Sequence, residues 1–266
     1  MRLRIDLAYD GGDFAGFARQ TDQRTVQGDL EEVLTRLVGQ PAAVTCAGRT
    51  DRGVHALAQV VHLDIDDTTS RARRALADLD RFRRQLDGSL PGDVTIWSVT
   101  AVPRTFHARF SARQRIYRYR LVDDVAAADP IRRHDRWRLD DPVHVPSMRQ
   151  GAGHLVGEHD FASFCRRVEG RTTMRRLLDV TVTRPSPGRV DLRFAGTAFC
   201  HQQVRAMVGC LVDVGRGRRN APWIGEVLAA RDRRVAARVA PPHGLTLERV
   251  TFGSGRPSAP LKRVRR

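Results

Sequence analysis

The chain has 266 residues, a formal net charge of +16 and an ordinary hydrophobic content of 41%. A chain of this length can bury one large core or two modest ones, so it does not need disulfide or metal cross-links to fold. It has no run of about 18 apolar residues, and its start, MRLRIDL, is charged and alternating, so we expect neither a membrane-spanning helix nor a secretory leader.

The first half of the chain is predicted to alternate strands with helices. Apolar alternation predicts a strand over residues 3–9 with one buried face. Helical spacing predicts a helix from Thr25 to Gly39, with Thr25 as its N-cap and Gly39 just past its end. Two strands over 42–46 and 58–64, a basic helix over 70–86 and a strand over 93–102 complete this half.

The second half is joined to the first near residues 103–114 and is again predicted to contain both strands and helices. A hairpin is predicted for 177–183 and 189–195, closed by the turn at 185–188. The other predicted elements are strands over 115–122 and 245–252, helices over 146–156 and 200–215, and a helix beginning at Pro222. Because the order lacks the regular βαβ rhythm of a doubly wound sheet, we predict an α+β fold.

The charge favours a polyanionic partner, since each cation placed near a phosphate releases a condensed counterion. Lys262 is the single lysine among 46 basic residues. Codon usage can explain arginine in place of lysine, but it does not explain the excess of basic residues over the 30 acidic ones. The composition therefore predicts nucleic-acid binding.

The four cysteines are scattered along the chain, and no two of them form a C-x-x-C pair. They are Cys46, Cys165, Cys200 and Cys210. This pattern argues against a disulfide framework and against structural zinc. We therefore expect reduced thiols and a cytoplasmic location.

The most informative segment is 47–56, AGRTDRGVHA, a loop between two predicted strands. Its Asp51 stands between two arginines, Arg49 and Arg52, and between two glycines. Glycines allow sharp turns and close approach of a ligand, and neighbouring cations keep a carboxylate ionised. A carboxylate that acts as nucleophile or base needs both, although a salt-bridged turn would show the same pattern.

This segment resembles the A-G-R-T-D-x-G-V-H motif of the tRNA pseudouridine synthase A family. Further motifs of that family occur in the same order along nearly the whole chain. They are 9–16 (YDGGDFAG), 25–27 (TVQ), 59–62 (QVVH), 90–93 (LPGD), 106–112 (FHARFSA), 115–119 (RIYRY), 199–209 (FCHQQVRAMVG) and 244–245 (GL).

The resemblance implies that the chain isomerises uridine in tRNA, with Asp51 as the essential carboxylate. Asp51 would attack C1′ or C6 of the nucleotide, or take a proton from the ribose. Arg205 is implied to pair with Asp51 and aim it, and Tyr117 to stack on the flipped uracil. The implied reaction has no redox step and no energy input, so no metal or other cofactor is expected.

Three more residues are implied to bind the substrate. Leu245 would form part of the apolar wall of the uracil pocket. Arg49 would contact the RNA near the flipped nucleotide, and His201 would lie at the same site.

The resemblance also implies a fold of two ferredoxin-like (RRM-like) halves related by a pseudo-twofold. These halves would share an extended mixed or antiparallel sheet and a central basic cleft. Residues 1–105 would form the half with the catalytic loop, 106–253 the half that completes the cleft, and 254–266 a basic, disordered tail. A homodimer with tRNA across both subunits is implied, and so is the anticodon stem-loop as target, at tRNA positions 38, 39 and 40.

Five residues depart from the family pattern. Phe17 and Ala18 stand in place of Trp-Gln, Asp87 in place of a frequent Asn, and Gln202 and Gln203 in place of His and Met. Since Phe17 is still aromatic, its packing is expected to survive, and the departures leave the catalytic set intact.

Two non-enzymatic functions compete with this interpretation. One is a non-catalytic tRNA-binding protein of the same fold, which loss of Asp51 would indicate. The other is an RNA chaperone or ribosome-assembly factor, which would bind through charge without needing Asp51 or Tyr117. Asp51 is present, so the sequence favours the enzyme.

Overall fold

The computed structural model of the protein describes residues 1–166, 170 and 172–253. Its strands are β1 (Arg2–Tyr9), β2 (Thr45–Cys46), β3 (His55–Asp64), β4 (Val94–Val102), β5 (Ala112–Val122), β6 (Trp137–Arg138), β7 (Gly157–Asp160), β8 (Met174–Ser186), β9 (Arg189–Gly196) and β10 (Leu245–Phe252). Its α-helices are α1 (Val26–Val38), α2 (Ser70–Leu76), α3 (Leu79–Ser89), α4 (Val145–Gly153), α5 (Gln203–Gly215) and α6 (Trp223–Ala230). The predicted disordered tail, 254–266, lies outside the described residues.

The chain folds into two compact units, and both combine helices with a mostly antiparallel sheet, which confirms the α+β class. The first unit is Met1–Arg113 with the chain from Leu247 onward, and the second is Gln114–Thr246. In the first, β4, β1 and β3 lie side by side and antiparallel, and β2 pairs with β3. In the second, the antiparallel order is β5-β9-β8-β7, and β6 pairs with β5 in parallel. No helix of the described ranges has the length and apolar character needed to cross a bilayer.

Strand β1 is buried on both faces along its second half, whereas the sequence predicted one buried face. The apolar residues at 3, 5, 7 and 9 are buried as predicted. On the opposite face, the Asp6 carboxylate accepts hydrogen bonds from Arg4 at 2.8 Å and from the Ser98 hydroxyl at 2.7 Å. Because β1 lies between β3 and β4 and its carboxylate is satisfied, a polar residue can be buried there.

Helix α1 begins and ends where its capping residues predict. The Thr25 hydroxyl accepts a hydrogen bond from the Gly28 N–H at 3.1 Å. Gly39 adopts the left-handed conformation, with φ of 75°, and its N–H donates to the Thr35 carbonyl at 2.9 Å. Both ends therefore follow from local sequence.

The prediction of one basic helix over 70–86 is wrong, because the structure has the two helices α2 and α3 there. The Asp78 side chain accepts a hydrogen bond from the Arg81 N–H at 2.9 Å and so caps the start of α3. Aspartate at this position offers the backbone an alternative to continuing α2. The cap lets α3 turn Phe82 and Leu86 into the core, where both are fully buried.

The strand predicted over 42–46 is shortened to β2, Thr45–Cys46. The Ala42 N–H donates to the Thr35 hydroxyl at 3.1 Å, and the Val44 N–H donates to the Glu31 carboxylate at 2.9 Å. These backbone groups are bonded to side chains of α1 instead of to a neighbouring strand. Apolar alternation alone does not reveal such bonds.

Asp123, at the end of β5, forms an ion pair that we expect to stabilise the second unit. Its carboxylate, 1% exposed, receives two hydrogen bonds from Arg184, at 2.8 and 2.7 Å, and one from the Val143 N–H at 2.9 Å. The Arg184 guanidinium holds the pKa of Asp123 below its usual value. Removing one partner of a buried pair leaves the other without compensation.

We therefore expect Asp123→Asn to lower the free energy of unfolding at pH 7 by about 3 kcal/mol, measured by urea denaturation. A depressed pKa contributes stability above the unfolded-state pKa of about 3.9. That contribution is lost as the pH falls through the folded-state pKa, so the difference between wild type and variant should begin to shrink near pH 4 and vanish below the folded-state pKa. Asp141→Asn, at an exposed position, should change little at any pH. A difference for Asp123→Asn that persists unchanged to low pH would contradict this account.

Candidate active site

The Asp51 loop, residues 47–54, leaves β2 and enters β3, as the sequence predicts. Asp51 is half-buried, whereas Arg49 and Arg52 are exposed. The Val54 N–H donates to the Asp51 carbonyl at 3.1 Å, and Gly53 adopts a φ of 76°. Asp51 therefore lies at the start of a tight turn that requires glycine two residues later.

The segment 10–17 braces this loop from one side. The Phe17 N–H donates to the Thr50 carbonyl at 3.1 Å, and the Gly53 N–H donates to the Phe14 carbonyl at 3.3 Å. Gly11 and Gly16 both lie against the backbone of the Asp51 loop. Two motifs about 40 residues apart in sequence thus form one rigid piece.

The closeness of that contact explains why the opening motif contains glycine. A Cβ atom on Gly11 would lie 2.0 Å from the Val54 carbonyl oxygen. One on Gly16, which has a φ of 116°, would lie 3.0 Å from the Thr50 carbonyl oxygen. Any larger residue would push against the backbone on either side of Asp51.

A buried polar network supports the loop from below. The Tyr9 and Thr50 hydroxyls are hydrogen-bonded at 2.8 Å. The Gln59 amide donates to the Gly48 carbonyl at 2.7 Å and to the Tyr9 hydroxyl at 3.3 Å. Tyr9, Thr50 and Gln59 are all buried. Tyr9 and Gln59 belong to family motifs, but the sequence analysis assigned neither of them a role. Contacts between side chains of separate strands leave no pattern in the local sequence.

We expect Tyr9→Phe to lower kcat about tenfold, because Thr50 beside Asp51 loses its buried partner and the loop loses rigidity. The loss of the hydrogen bonds to Thr50 and Gln59 should lower the free energy of unfolding by about 2 kcal/mol. Single-turnover kinetics and urea denaturation measure the two effects. Thr50→Ser keeps the hydroxyl and should retain activity, whereas Thr50→Val should resemble Tyr9→Phe. Full activity in both Tyr9→Phe and Thr50→Val would show that the network is dispensable.

In the second unit, Tyr117 lies on β5, opposite Phe194 of β9. Its side chain is buried, and its ring packs edge-on against Phe199, with the centroids 5.1 Å apart and the planes at 84°. Phe199 belongs to the motif that precedes α5. The family motifs 115–119 and 199–209 are therefore in direct contact within this unit.

Arg205 lies in the first turn of α5 and is half-buried. Its Nε donates to the Ala240 carbonyl at 2.8 Å, and the Ala240 N–H donates to the Arg205 carbonyl at 3.1 Å. These two bonds fix the side chain and the segment 238–240 to each other. Gly209, one turn further along α5, makes this approach possible, since a Cβ atom there would lie 2.0 Å from the Arg238 carbonyl oxygen.

Tyr119, two residues beyond Tyr117 on β5, holds the segment that leads into β10. Its hydroxyl donates to the Pro241 carbonyl at 2.8 Å. A Cβ atom on Gly244 would lie 2.6 Å from the Tyr119 ring. Leu245 follows directly and is buried, with 5% of its surface exposed. Within this unit, the segment 240–245 therefore joins Tyr119 and Arg205 and leads into Leu245.

His201 and the family departures beside it lie at the start of α5. His201 is exposed, and its carbonyl accepts a hydrogen bond from the Arg166 N–H at 3.1 Å. Gln202 adopts a φ of 64°, and the fully buried Gln203 accepts a hydrogen bond from the Cys200 N–H at 2.8 Å. Gln203 thus closes the turn that leads into the helix.

The departures in the first unit also have defined contacts. Phe17 is buried, as its aromatic character predicts, and its ring lies 6.2 Å from the Tyr9 ring. Asp87 accepts a hydrogen bond from the Ile96 N–H at 2.7 Å, which ties α3 to β4. Phe17 thus packs against β1, and Asp87 joins a helix to a strand.

The site residues predicted from sequence divide between the two units. Arg49 and Asp51 share one loop of the first unit. Those of the second unit are Tyr117, His201, Arg205 and Leu245. Among residues 1–166, 170 and 172–253, no group of three or more His, Cys, Asp or Glu side chains is arranged to hold a metal ion.

A family model described as tRNA pseudouridine synthase matches residues 7–111 and 152–253. The matched stretches contain the Asp51 loop, the bracing segment and helix α5. The chain belongs to the tRNA pseudouridine synthase family. This confirms the resemblance stated from the motifs.

Curated relatives match over nearly their whole length. The chain is 48% identical to the tRNA pseudouridine synthase A of Frankia casuarinae, over 95% of this chain and 89% of the relative. It is 43% identical to that of Streptomyces griseus, over 95% and 88%, and 39% identical to that of Halalkalibacterium halodurans, over 96% and 94%. A chain in the crystal structure of the archaeal box H/ACA sRNP Nop10-Cbf5 complex is 12% identical, with a TM-score of 0.35, over 91% of this chain and 46% of that one.

Proposed function

We propose that this chain isomerises uridine to pseudouridine in tRNA, with Asp51 as the catalytic carboxylate. The observation that carries the proposal is the Asp51 loop itself, braced by a second family motif and supported by a buried polar network. The family match across 7–111 and 152–253 supports the same reaction. A carboxylate held on a rigid loop is what this chemistry requires.

The reaction balances without an external reactant. The C1′–N1 bond breaks, the detached uracil turns, and a C1′–C5 bond forms, after which C5 loses its proton and N1 gains one. Asp51 can act as nucleophile at C1′ or C6, or as base toward the ribose. Because no electron is transferred and no phosphate is consumed, the protein has to supply positioning, a carboxylate and a pocket that excludes water.

We assign the remaining roles from the family motifs. Arg205 would pair with Asp51 and aim it, since a guanidinium binds a carboxylate in a fixed geometry. Tyr117 would stack on the flipped uracil, and Leu245 would line its pocket. Arg49 and His201, which are both exposed, would contact the RNA around the flipped nucleotide.

We expect Arg205→Gln to lower kcat about 100-fold, because a carboxylate that is no longer aimed loses its positioning advantage. The Kd for tRNA should stay within about threefold, since Arg205 acts through Asp51. Arg218→Gln, an exposed position on the loop after α5, is the matched control and should leave kcat unchanged. Weaker binding at unchanged kcat in Arg205→Gln would assign Arg205 to the phosphate backbone instead.

The proposed target is the anticodon stem-loop, at positions 38, 39 and 40. A surface with a net charge of +16 would attract the RNA backbone, and recognition through shape would suit neighbouring uridines in several tRNAs. Mapping of pseudouridine by chemical modification and primer extension in tRNA treated with the protein tests the position. Product confined to another arm would overturn this part of the proposal.

The decisive experiment measures tritium release from unmodified tRNA labelled at C5 of uridine. Wild-type protein should release tritium from C5 in proportion to the pseudouridine formed. A non-catalytic tRNA-binding protein of the same fold would bind the tRNA without release. Tight binding with no release at any enzyme concentration would favour that alternative.

We further propose that the chain has two ferredoxin-like halves related by a pseudo-twofold, with a central basic cleft between them. We also propose that the protein acts in the cytoplasm as a homodimer, with tRNA lying across both subunits. The proposed halves are 1–105 and 106–253, with 254–266 as a basic tail. Sedimentation at micromolar concentration tests the dimer, and a monomeric mass would overturn it.

A further inference from the structure

The turn 106–111, between β4 and β5, carries a large aromatic side chain into solvent. Phe110 is 76% exposed, although it lies in a tightly bonded piece of backbone. The Ser111 N–H donates to the His107 carbonyl at 2.8 Å, and the N–H groups of Arg109 and Phe110 both point at His107 Nδ1, at 3.2 and 3.3 Å. The ring is therefore held out by a fixed turn.

This turn is anchored on strand β3. The Ala108 N–H donates to His62 Nδ1 at 3.2 Å, and Ala108 is fully buried. Burial lowers the pKa of His62, and so does the neighbouring His107. A neutral His62 keeps its Nδ1 available to accept the bond.

Three aromatic rings form a tilted stack from this anchor outward. The His62 and His107 centroids lie 4.6 Å apart with the planes at 56°, and the His107 and Phe110 centroids lie 4.4 Å apart with the planes at 34°. The inner end of the stack is buried and the outer end, Phe110, is exposed. A ring backed in this way is preorganised, since it loses little side-chain freedom when a further ring stacks on it.

The stack lies beside the Asp51 loop within the first unit. His62 pairs with Thr45 across β2 and β3, and the next residue, Cys46, leads directly into the loop. Burial raises the pKa of Cys46 to about 11, against the opposing effect of two nearby cations, Arg49 and Arg109. Arg109 of the turn and Arg49 of the loop therefore lie close to the same thiol.

The surroundings of Phe110 favour a nucleic acid as its partner. The Arg109 guanidinium lies 5.5 Å from the centroid of the Phe110 ring, and Arg104 and Arg113 are exposed nearby in the chain. An exposed aromatic ring among cations suits a nucleotide, whose base stacks while its phosphate is neutralised. The same surface of a second copy would bring its own arginines against these cations.

We propose that Phe110, backed by His107, is a stacking platform for an unpaired base of the tRNA, next to the uridine on which Asp51 acts. This inference rests on the proposed function. Every base has a π face, so such a platform positions the RNA without reading its sequence. Phe110 is thus a substrate-positioning residue and takes no part in the bond changes.

The test compares Phe110→Ala and Phe110→Tyr with Ile131→Ala, a matched truncation of an apolar side chain that is 85% exposed in the second unit. The Kd for unmodified tRNA should rise about tenfold in Phe110→Ala and stay near the wild-type value in Phe110→Tyr and Ile131→Ala. The rate of tritium release at saturating tRNA should stay within about twofold of wild type in all three. Thermal melting should be unchanged, because Phe110 is not part of the core.

A second readout uses 2-aminopurine at unpaired positions of the anticodon loop. Wild-type protein should quench its fluorescence at one position by stacking, and Phe110→Ala should lose that quenching while Phe110→Tyr keeps it. Unchanged tRNA binding and unchanged quenching in Phe110→Ala would overturn the platform, whatever the tritium assay shows. A shift of Phe110→Ala from dimer to monomer with unchanged tRNA binding would also overturn it, in favour of a second copy. Failure of wild type to release tritium would count against the proposed reaction alone.

Discussion

Asp51→Asn is expected to abolish tritium release from C5-labelled tRNA, with a loss of at least about 1,000-fold in rate. Asparagine keeps the size and shape of the side chain but has no charge, so it can neither attack C1′ or C6 nor take a proton from the ribose. The half-buried position of Asp51 on a braced loop means that the fold should tolerate the change. The Kd for tRNA should stay within about twofold, since most of the binding comes from contacts with the RNA backbone.

Asp13→Asn is the matched control, because Asp13 is exposed on the segment that braces the Asp51 loop. It removes the same charge from the same unit and should leave the rate unchanged. Rapid-quench measurement under single-turnover conditions separates the chemical step from product release. Residual activity of Asp51→Asn above about one percent of wild type would remove Asp51 from its catalytic role.

Gly11→Ala is expected to lower kcat about 100-fold, although Gly11 has no chemical role. Its new Cβ would lie 2.0 Å from the Val54 carbonyl oxygen and 2.5 Å from the carbonyl carbon. Both atoms belong to the backbone, so the Asp51 loop would have to move by about 1 Å, which is enough to cost about two orders of magnitude in rate. Overpacking of this kind should also lower the free energy of unfolding by about 2 kcal/mol.

Gly12→Ala provides the comparison one residue away. A Cβ there would come within 3.2 Å of the Asp10 carboxylate oxygen alone, which belongs to an exposed side chain and not to the backbone. Activity and melting temperature should therefore stay close to wild type. Equal effects of the two substitutions would mean that the sensitivity comes from chain stiffness in this turn, not from contact with the Asp51 loop.

Several features of this protein could be predicted from its sequence because their causes are local. The caps of α1 depend on Thr25 and Gly39 and lie where they were predicted. The hairpin of β8 and β9 follows from alternation and from the turn before Gly188. The family followed from motifs spread along the chain, and with it the prediction of Asp51, whose placement on the loop between β2 and β3 the structure confirms.

Other features were misread because a side chain bonds to backbone groups that the periodic pattern leaves out of account. The basic segment 70–86 has a helical composition throughout. The Asp78 side chain nevertheless accepts a hydrogen bond from the Arg81 N–H, and the segment forms the two helices α2 and α3. Residues 42–44 look like a strand, but their N–H groups bond to Glu31 and Thr35 of α1. In both cases a side chain competes for backbone groups that periodicity assigns to regular structure.

By itself, the sequence determined the class of the fold and the family, and it predicted which residues carry the chemistry, because each depends on residue type and order along the chain. Only the tertiary structure decided how Asp51 is held. The backbone of 11–17, the buried hydroxyl of Tyr9 and the amide of Gln59 converge on its loop from separate strands. It also decided that Phe110, whose residue type would equally suit a core, projects from a turn anchored on His62. Such contacts join residues far apart in sequence, and their geometry exists only once the strands between them have paired.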